Sequence, residues 1–321
     1  PYFKIWFTAS FTFLTLFIYL GIPFFFDYKS SKLDLEKKIF KRFSLNLQST
    51  SEAKYNIFPS PRLHLSNVQI LNFTENSDKI GVAKKVVLKV PFKKLINLKS
   101  LDFNSIKIIN AVVEVKTSEF TSLTQYLNKM INEKPIEIKK SKVNILDKKN
   151  LLFSFDLDKV NIKGKKLNNK LSANGKLFNT RLKINYQRKD SDNELFKNVK
   201  IGLPDIGLNL KLSINPDENN NNYGTARMFF PSNKIFFDYM LSDKNLNIKN
   251  SKIINDYFKG QLYGDLFFFP YSLFDIKLKI DFLKFKNLLD DRRFLRNTNL
   301  ISQLVPFNKK INGNLNIDIN K

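Results

Sequence analysis

The stretch 208–214, Leu-Asn-Leu-Lys-Leu-Ser-Ile, places an apolar side chain at every second position. A period of two is typical of a β-strand that buries one face and exposes the other to water. The same alternation recurs from Tyr55 to the end of the chain, and Asn, Lys, Gly and Asp occupy most of the intervening turns. The sequence therefore predicts a mainly β fold built from many strands.

The amino-terminal stretch 5–26 contains no charged residue. As an α-helix its 22 residues would extend for about 33 Å, enough to cross the hydrocarbon core of a bilayer with some tilt. A cleavable signal peptide fits less well because the apolar run continues directly into Asp27, and a buried core helix of this length is uncommon. We expect a membrane anchor whose orientation the flanking charges leave open. Its representative apolar residues are Ile5, Trp6, Phe13, Leu16, Leu20 and Phe24.

Three parts follow from these patterns: a transmembrane anchor over 1–28, an amphipathic linker helix over 29–48 and a β-domain over 49–321. Two further short helices are predicted over 118–131 and 285–304, where apolar residues recur at helical spacing. The last alternating run has no turn or partner strand after it, so we expect the chain to be the amino-terminal part of a longer polypeptide. The apolar side of the linker helix is predicted to consist of Leu33, Ile39, Phe40 and Phe43.

The composition narrows the possible chemistry and partners. The chain has 54 Lys and Arg against 29 Asp and Glu, giving a net charge of +25, and it has no Cys. The absence of Cys excludes disulfides, thiolate metal sites and a cysteine nucleophile. The basic residues are spread along the chain together with many Asn, Ile and Phe, a composition that a genome biased to A and T would also produce. We therefore expect an anionic bilayer rather than a specific nucleic acid as the acidic partner.

Residues that could carry catalysis are scarce. The single histidine, His64, lies between Leu63 and Leu65 in a predicted strand, where a structural role is the simpler interpretation. No glycine-rich phosphate loop is present, and Asp290 and Asp291 adjoin two arginines on a predicted helix, as expected for a solvated face. The sequence predicts no enzyme activity, no catalytic residue, no cofactor and no metal site.

Three consecutive segments carry a family resemblance. They are Phe-Pro-Ser-Pro-Arg-Leu-His-Leu-Ser-Asn-Val-Gln-Ile over 58–70, Val-Ala-Lys-Lys-Val-Val-Leu-Lys-Val over 82–90 and Ser-Ile-Lys-Ile-Ile-Asn-Ala-Val-Val-Glu-Val over 105–115. Their order and spacing resemble the amino-terminal region of the AsmA family. The resemblance extends weakly over most of the chain, and 55–115 is its specific part.

This resemblance implies a single-pass protein of the bacterial inner membrane with its body in the periplasm. It implies an elongated, curled antiparallel sheet with an apolar groove that holds or conducts phospholipid, and a role in outer-membrane biogenesis. An ordinary β-sandwich with a closed core remains an alternative, because alternation alone does not distinguish the two. That alternative would make the protein a periplasmic scaffold for outer-membrane assembly components. The candidate groove residues are Val86, Leu88, Val90, Leu208, Leu210, Leu212, Ile235, Phe237, Tyr239, Ile276, Leu278 and Ile280.

Overall fold

A computed structural model describes residues 2–25, 32–72, 78–92, 95, 102–116, 135–147, 149–165, 168–177, 179–191, 194–216, 222–231, 233–242, 245–267, 272–284 and 311–319. These residues contain two α-helices, α1 (Tyr2–Gly21) and α2 (Lys32–Phe43), and two short 3₁₀ turns, Ile22–Phe25 and Pro204–Ile206. The helices predicted over 118–131 and 285–304 lie outside the described residues, as does Ser31, which immediately precedes α2.

Seventeen strands make up most of the described chain. They are β1 (Leu47–Ser49), β2 (Lys54–Asn56), β3 (Arg62–Leu71), β4 (Lys79–Lys89), β5 (Ser105–Lys116), β6 (Ile136–Asp147), β7 (Asn150–Lys165), β8 (Asn168–Leu177), β9 (Thr180–Ser191), β10 (Glu194–Leu203), β11 (Leu208–Pro216), β12 (Asn222–Phe230), β13 (Asn233–Leu241), β14 (Asn245–Asn255), β15 (Phe258–Phe267), β16 (Ser272–Leu283) and β17 (Ile311–Ile319).

Most strands pair with their sequence neighbours. β1 and β2 both pair with β3, and antiparallel pairs then join β3 to β4, β4 to β5 and each strand from β8 to β15 with its successor. β17 is the exception, because it pairs with β16 in parallel. The predicted fold class is confirmed: the chain is mainly β, with one amino-terminal apolar helix and one large, curled, unclosed sheet of mostly antiparallel strands.

The chain divides into two compact units. The first unit contains residues 1–114, 122–143 and 159–164, and the second contains residues 115–121, 144–158 and 165–321. The first unit therefore includes both helices and β1 to β4, whereas the second includes β8 to β17.

Helix α2 closes the core of the first unit. It buries Leu35, Ile39 and Phe43, which recur every fourth residue along one side of the helix. Leu35 and Ile39 line a cavity of about 240 Å³ together with Leu65 of β3, so the helix lies against the apolar face of that strand. The predicted apolar side was half wrong: Ile39 and Phe43 are buried, but Leu33 and Phe40 are exposed by 69% and 57%. These two residues are seven positions apart and follow a different line along the helix.

The strands of the first unit change the phase of their alternation in mid-strand. In β3 the buried positions pass from Leu63 and Leu65 to Val68 and Ile70, and Asn67 between them has a φ of 49°. β5 changes phase in the same way at Asn110, where φ is 53°. Asparagine tolerates this left-handed conformation better than most residues. Each left-handed residue lets the apolar side chains before and after it stay buried.

Candidate functional site

The second unit carries an apolar face that extends across its strands. Leu212 of β11 lies opposite Ala226 of β12, which lies opposite Phe237 of β13. Directly opposed residues of antiparallel strands point to the same side of a sheet. The alternating residues of β11 and β13 therefore share one face, which includes the predicted residues Leu208, Leu210, Leu212, Ile235, Phe237 and Tyr239.

The same face continues to β16 and β17. Ile235 lies opposite Ile253 of β14, which lies opposite Gly260 of β15, and Gly260 lies opposite Ile280 of β16. Ile280 in turn lies beside Ile319 of β17. Strand pairing thus brings nine of the twelve predicted groove residues onto one face, completed by Ile276 and Leu278. The face also extends from β11 to β8, because Leu210 lies opposite Ile201 of β10, which lies opposite Ile184 of β9 and through it Ala173 of β8. We call this surface, formed by these alternating residues of β8 to β17, the apolar face.

Sequence patterns alone missed several members of the apolar face because they are small. Ala226 is buried at the centre of a hydrophobic cluster, and Gly224, Gly260 and Gly264 occupy positions between bulky apolar residues of the neighbouring strands. A search for alternating Leu, Ile and Phe passes over such positions. The signal that could have found them is their spacing of two from apolar residues in the same strand.

Val86, Leu88 and Val90 lie in the first unit and not on the apolar face. They are exposed by 0%, 0% and 2%, and Val86 lies directly opposite Leu65, the strand residue that lines the cavity under α2. The helix covers this face, so these three side chains are sealed in a packed core.

The apolar face of the second unit is less completely covered. Side chains such as Leu210, Leu212 and Leu278 are only half-buried, although they belong to strands in the middle of the described pairing. Leu210 and Leu212 pack against the buried cluster formed by Ala226, Phe237, Tyr239 and Ile248. The strands that the structure describes all belong to one sheet, so no second sheet occurs among these residues. Lys211 and Lys277, at alternate positions of β11 and β16, are exposed.

Tyr239 crosses a neighbouring strand on the apolar face. Its hydroxyl donates a hydrogen bond to the carbonyl oxygen of Ser213 at 3.0 Å, reaching from β13 past β12 to β11. Gly224 of β12 lies between them, and a Cβ atom there would meet that carbonyl oxygen and the Tyr239 hydroxyl. Burial raises the pKa of Tyr239 to about 12, so the hydroxyl keeps its proton at neutral pH. The absent side chain of Gly224 makes this cross-strand bond possible.

Helix α1 exposes most of its apolar residues. Ile5, Trp6, Phe13 and Leu16 are exposed by 65%, 73%, 70% and 50%, Leu20 is half-buried, and the side chain of Phe24 lies outside the described residues. The window Lys4–Gly21 has a mean hydropathy of 1.3 and none of it is buried. By length and composition, α1 is therefore able to span a membrane.

The carboxyl-terminal end of α1 is hydrogen-bonded to the sheet of the first unit. The Tyr19 hydroxyl donates a hydrogen bond to the Phe92 carbonyl oxygen at 2.5 Å, and the Tyr55 hydroxyl donates one to the Leu20 carbonyl oxygen at 3.2 Å. Pro23, just beyond the helix, is buried. Burial raises the pKa of Tyr55 to about 12, so this donor also stays protonated at neutral pH. These contacts fix the sheet end formed by β2 and β4 beside the helix terminus.

Comparison with protein-family models and with curated proteins finds no match to this chain. No cluster of three or more potential metal ligands occurs among the described residues. The fold and the exposed helix define a mainly β protein with one candidate membrane-spanning helix at its amino terminus.

Proposed function

We propose that this protein is a membrane-anchored, AsmA-like lipid-binding protein whose apolar face holds the acyl chains of phospholipid. The observation that supports the proposal is the continuity of that face across β8 to β17. Phe237, Tyr239 and Ile280 on this face are buried, but Leu210, Leu212 and Leu278 are only half-buried. Ten strands at about 4.8 Å spacing give the face a width of about 43 Å across the strands. The resemblance of residues 55–115 to the AsmA family supports a periplasmic body and a role in outer-membrane biogenesis.

The energetics favour an apolar surface for this task. At about 0.8 kcal/mol per CH₂ group, an acyl chain of about 16 carbons costs on the order of 13 kcal/mol to expose to water. A few hydrogen bonds to the headgroup do not offset that cost. Side chains such as Leu210, Leu278 and Ile276 offer the extended apolar contact that does.

A second candidate function is a scaffold that binds outer-membrane proteins through a strand edge. β17 exposes Leu315, Ile317 and Ile319 by 54%, 52% and 58%, and within the described residues its register joins it to β16 alone. An exposed apolar edge strand can accept an extended segment of another protein by β-augmentation. This function requires no lipid on the apolar face.

Photo-crosslinking in membranes separates the two functions. The full chain is exposed to phospholipid that carries a photoreactive group in its acyl chain, and the crosslinked peptides are identified by mass spectrometry. Lipid holding predicts crosslinks on β11, β13 and β16 in addition to α1. Crosslinks confined to α1 would contradict it. A separate photoreactive residue placed in β17 that crosslinks to an outer-membrane protein would support the scaffold.

A pair of double variants on one strand tests the face itself. Ile276→Gln with Leu278→Gln makes the apolar face polar, whereas Lys277→Gln with Lys279→Gln changes the alternate positions of the same strand. We expect the first variant to lose most lipid crosslinks on the second unit and the second variant to keep them. Hydrogen exchange of β16 checks that both variants retain the strand.

A further inference from the structure

The sheet end that is attached to α1 faces the bilayer surface if α1 spans the membrane. Tyr19 and Tyr55 tie this end to the helix terminus, as described above. Two aromatic side chains at the same end are exposed, Phe58 by 82% and Phe92 by 51%. Exposed aromatic residues beside a helix terminus are suited to the boundary between hydrocarbon and water.

A basic cleft opens at this end of the first unit. Its volume is about 370 Å³, and its lining includes Arg62, Lys89, Lys107 and Lys163, with one carboxylate, Glu137. Strand register explains part of the cluster, because Arg62 of β3 lies directly opposite Lys89 of β4. We call this set of residues the basic cleft.

The single carboxylate of the basic cleft is already neutralised. Glu137 lies 3.2 Å from the Lys107 ammonium and 3.1 Å from the Lys139 ammonium, and Lys159 lies 3.9 Å away. Burial alone would raise the pKa of Glu137, but the hydrogen bonds from Lys139 and Lys107 outweigh it and lower the pKa below its usual value. The carboxylate therefore stays ionised and paired.

The remaining cations of the cleft are uncompensated. Arg62, Lys89 and Lys163 have no acidic partner among the residues that the structure describes. The Nε atom of Arg62 is buried with no hydrogen-bond partner in the described chain, and so is the Nε2 atom of His64 two residues further along β3. Buried polar atoms normally have partners, so the Arg62 Nε donor in the cleft points to an acceptor supplied from outside the protein.

We propose that the basic cleft binds the phosphate group of an anionic lipid headgroup at the bilayer surface. The guanidinium of Arg62 can bind two phosphate oxygens at once, and Lys89 and Lys163 add charge around it. The proposal rests on the membrane anchorage within the proposed function, but not on the holding of acyl chains by the apolar face.

The test measures binding by the full chain in neutral, phosphate-free maltoside micelles. The probes are a soluble short-chain phosphatidylglycerol and, separately, inorganic phosphate. We expect saturable binding of the phospholipid and much weaker binding of inorganic phosphate. Inorganic phosphate that binds as tightly as the phospholipid would overturn the assignment to a lipid headgroup.

Matched charge variants distinguish lipid binding at the basic cleft from the general attraction of anionic lipid to a chain with a net charge of +25. The cleft variant combines Arg62→Gln, Lys89→Gln and Lys163→Gln, and the control combines Lys252→Gln, Lys259→Gln and Lys277→Gln, which are exposed in the second unit. At about fivefold per cation near an anionic surface, the cleft variant should lose on the order of 100-fold in affinity. Equal losses in both variants would overturn the proposal.

His64 supplies an independent readout because it is the one histidine in the chain. Its pKa in the free protein is lowered by burial and by the nearby charges of Lys85 and Arg62. A phosphate bound at Arg62 should raise that pKa, which NMR of the imidazole measures, and the cleft variant should show no such response to lipid. Acyl crosslinks on the second unit should be unchanged in the cleft variant, so failure of this proposal and failure of lipid holding are distinguishable.

Discussion

The cross-strand bond from Tyr239 to Ser213 allows a quantitative test of how the apolar face is built. Replacing Tyr239 with Phe keeps the ring and removes one neutral hydrogen bond, which costs about 1 kcal/mol. Local opening of β11 to β13 should then become about fivefold more frequent. Hydrogen exchange followed by mass spectrometry measures this opening strand by strand, which suits a chain of two compact units.

Gly224→Ala perturbs the same bond from the other side. The added Cβ would meet the Ser213 carbonyl oxygen and come within 3.0 Å of the Tyr239 hydroxyl, so one of the strands must shift. Overpacking of this kind typically costs about 1–3 kcal/mol. Because the shift separates the hydroxyl from its acceptor, Tyr239→Phe should cost almost nothing further in the Gly224→Ala background.

The double-mutant cycle should therefore show a coupling of about 1 kcal/mol between the two positions. Tyr223→Phe is the matched control, since Tyr223 is adjacent in β12 but 49% exposed, and it should change exchange in β11 to β13 very little. Additive effects of the two substitutions would refute the inference that the absence of a side chain at Gly224 allows the Tyr239 hydroxyl to reach the Ser213 carbonyl oxygen.

Three further predictions concern the first unit and the pH range. Asn110→Ala should destabilise β5 by about 1–2 kcal/mol, because Asn110 has a left-handed φ of 53°. Asn110→Gly should cost less, because glycine adopts this conformation readily. Equal losses of unfolding free energy in the two variants, measured by denaturation, would contradict the prediction. Arg42→Ala removes the ion pair with Asp102, in which Nη2 and Oδ2 are 3.1 Å apart. Part-exposed ion pairs contribute about 1 kcal/mol or less to stability, so hydrogen exchange in α2 should become faster by about fivefold at most. An unchanged exchange rate in α2 would count against this prediction. Burial raises the pKa of Tyr55 to about 12. The contribution of Tyr55 to the free energy of unfolding is therefore complete below about pH 10 and declines as the pH rises from about 10 to about 12. Tyr55→Phe should flatten this part of the curve of unfolding free energy against pH, and an unchanged slope would argue against the prediction.

Local patterns in the sequence were sufficient to predict helix α1 and the strands. The uncharged run at the amino terminus predicted α1, and alternation predicted the strands, because both signals depend only on residues close together in the chain. The buried positions of β3 change phase between Leu65 and Val68. The cause of this change, the left-handed conformation of Asn67, required the structure.

Tertiary structure decided how far the apolar side of each strand is buried. Val86 and Leu88 alternate in the same way as Leu210 and Leu212, yet α2 seals the first pair in a core and leaves the second pair half-buried. Burial depends on what packs against a face, and no local pattern records that.

Register between strands is equally non-local. It placed Ile276 on the same face as Leu212, although more than sixty residues separate them, and it brought Arg62 to Lys89 in the basic cleft. The sequence by itself determined which of the described segments become helix or strand and, apart from Leu33 and Phe40 of α2, which of their sides is apolar. The tertiary structure decided which sides meet, because hydrogen bonds between distant segments fix the position of each strand against the next.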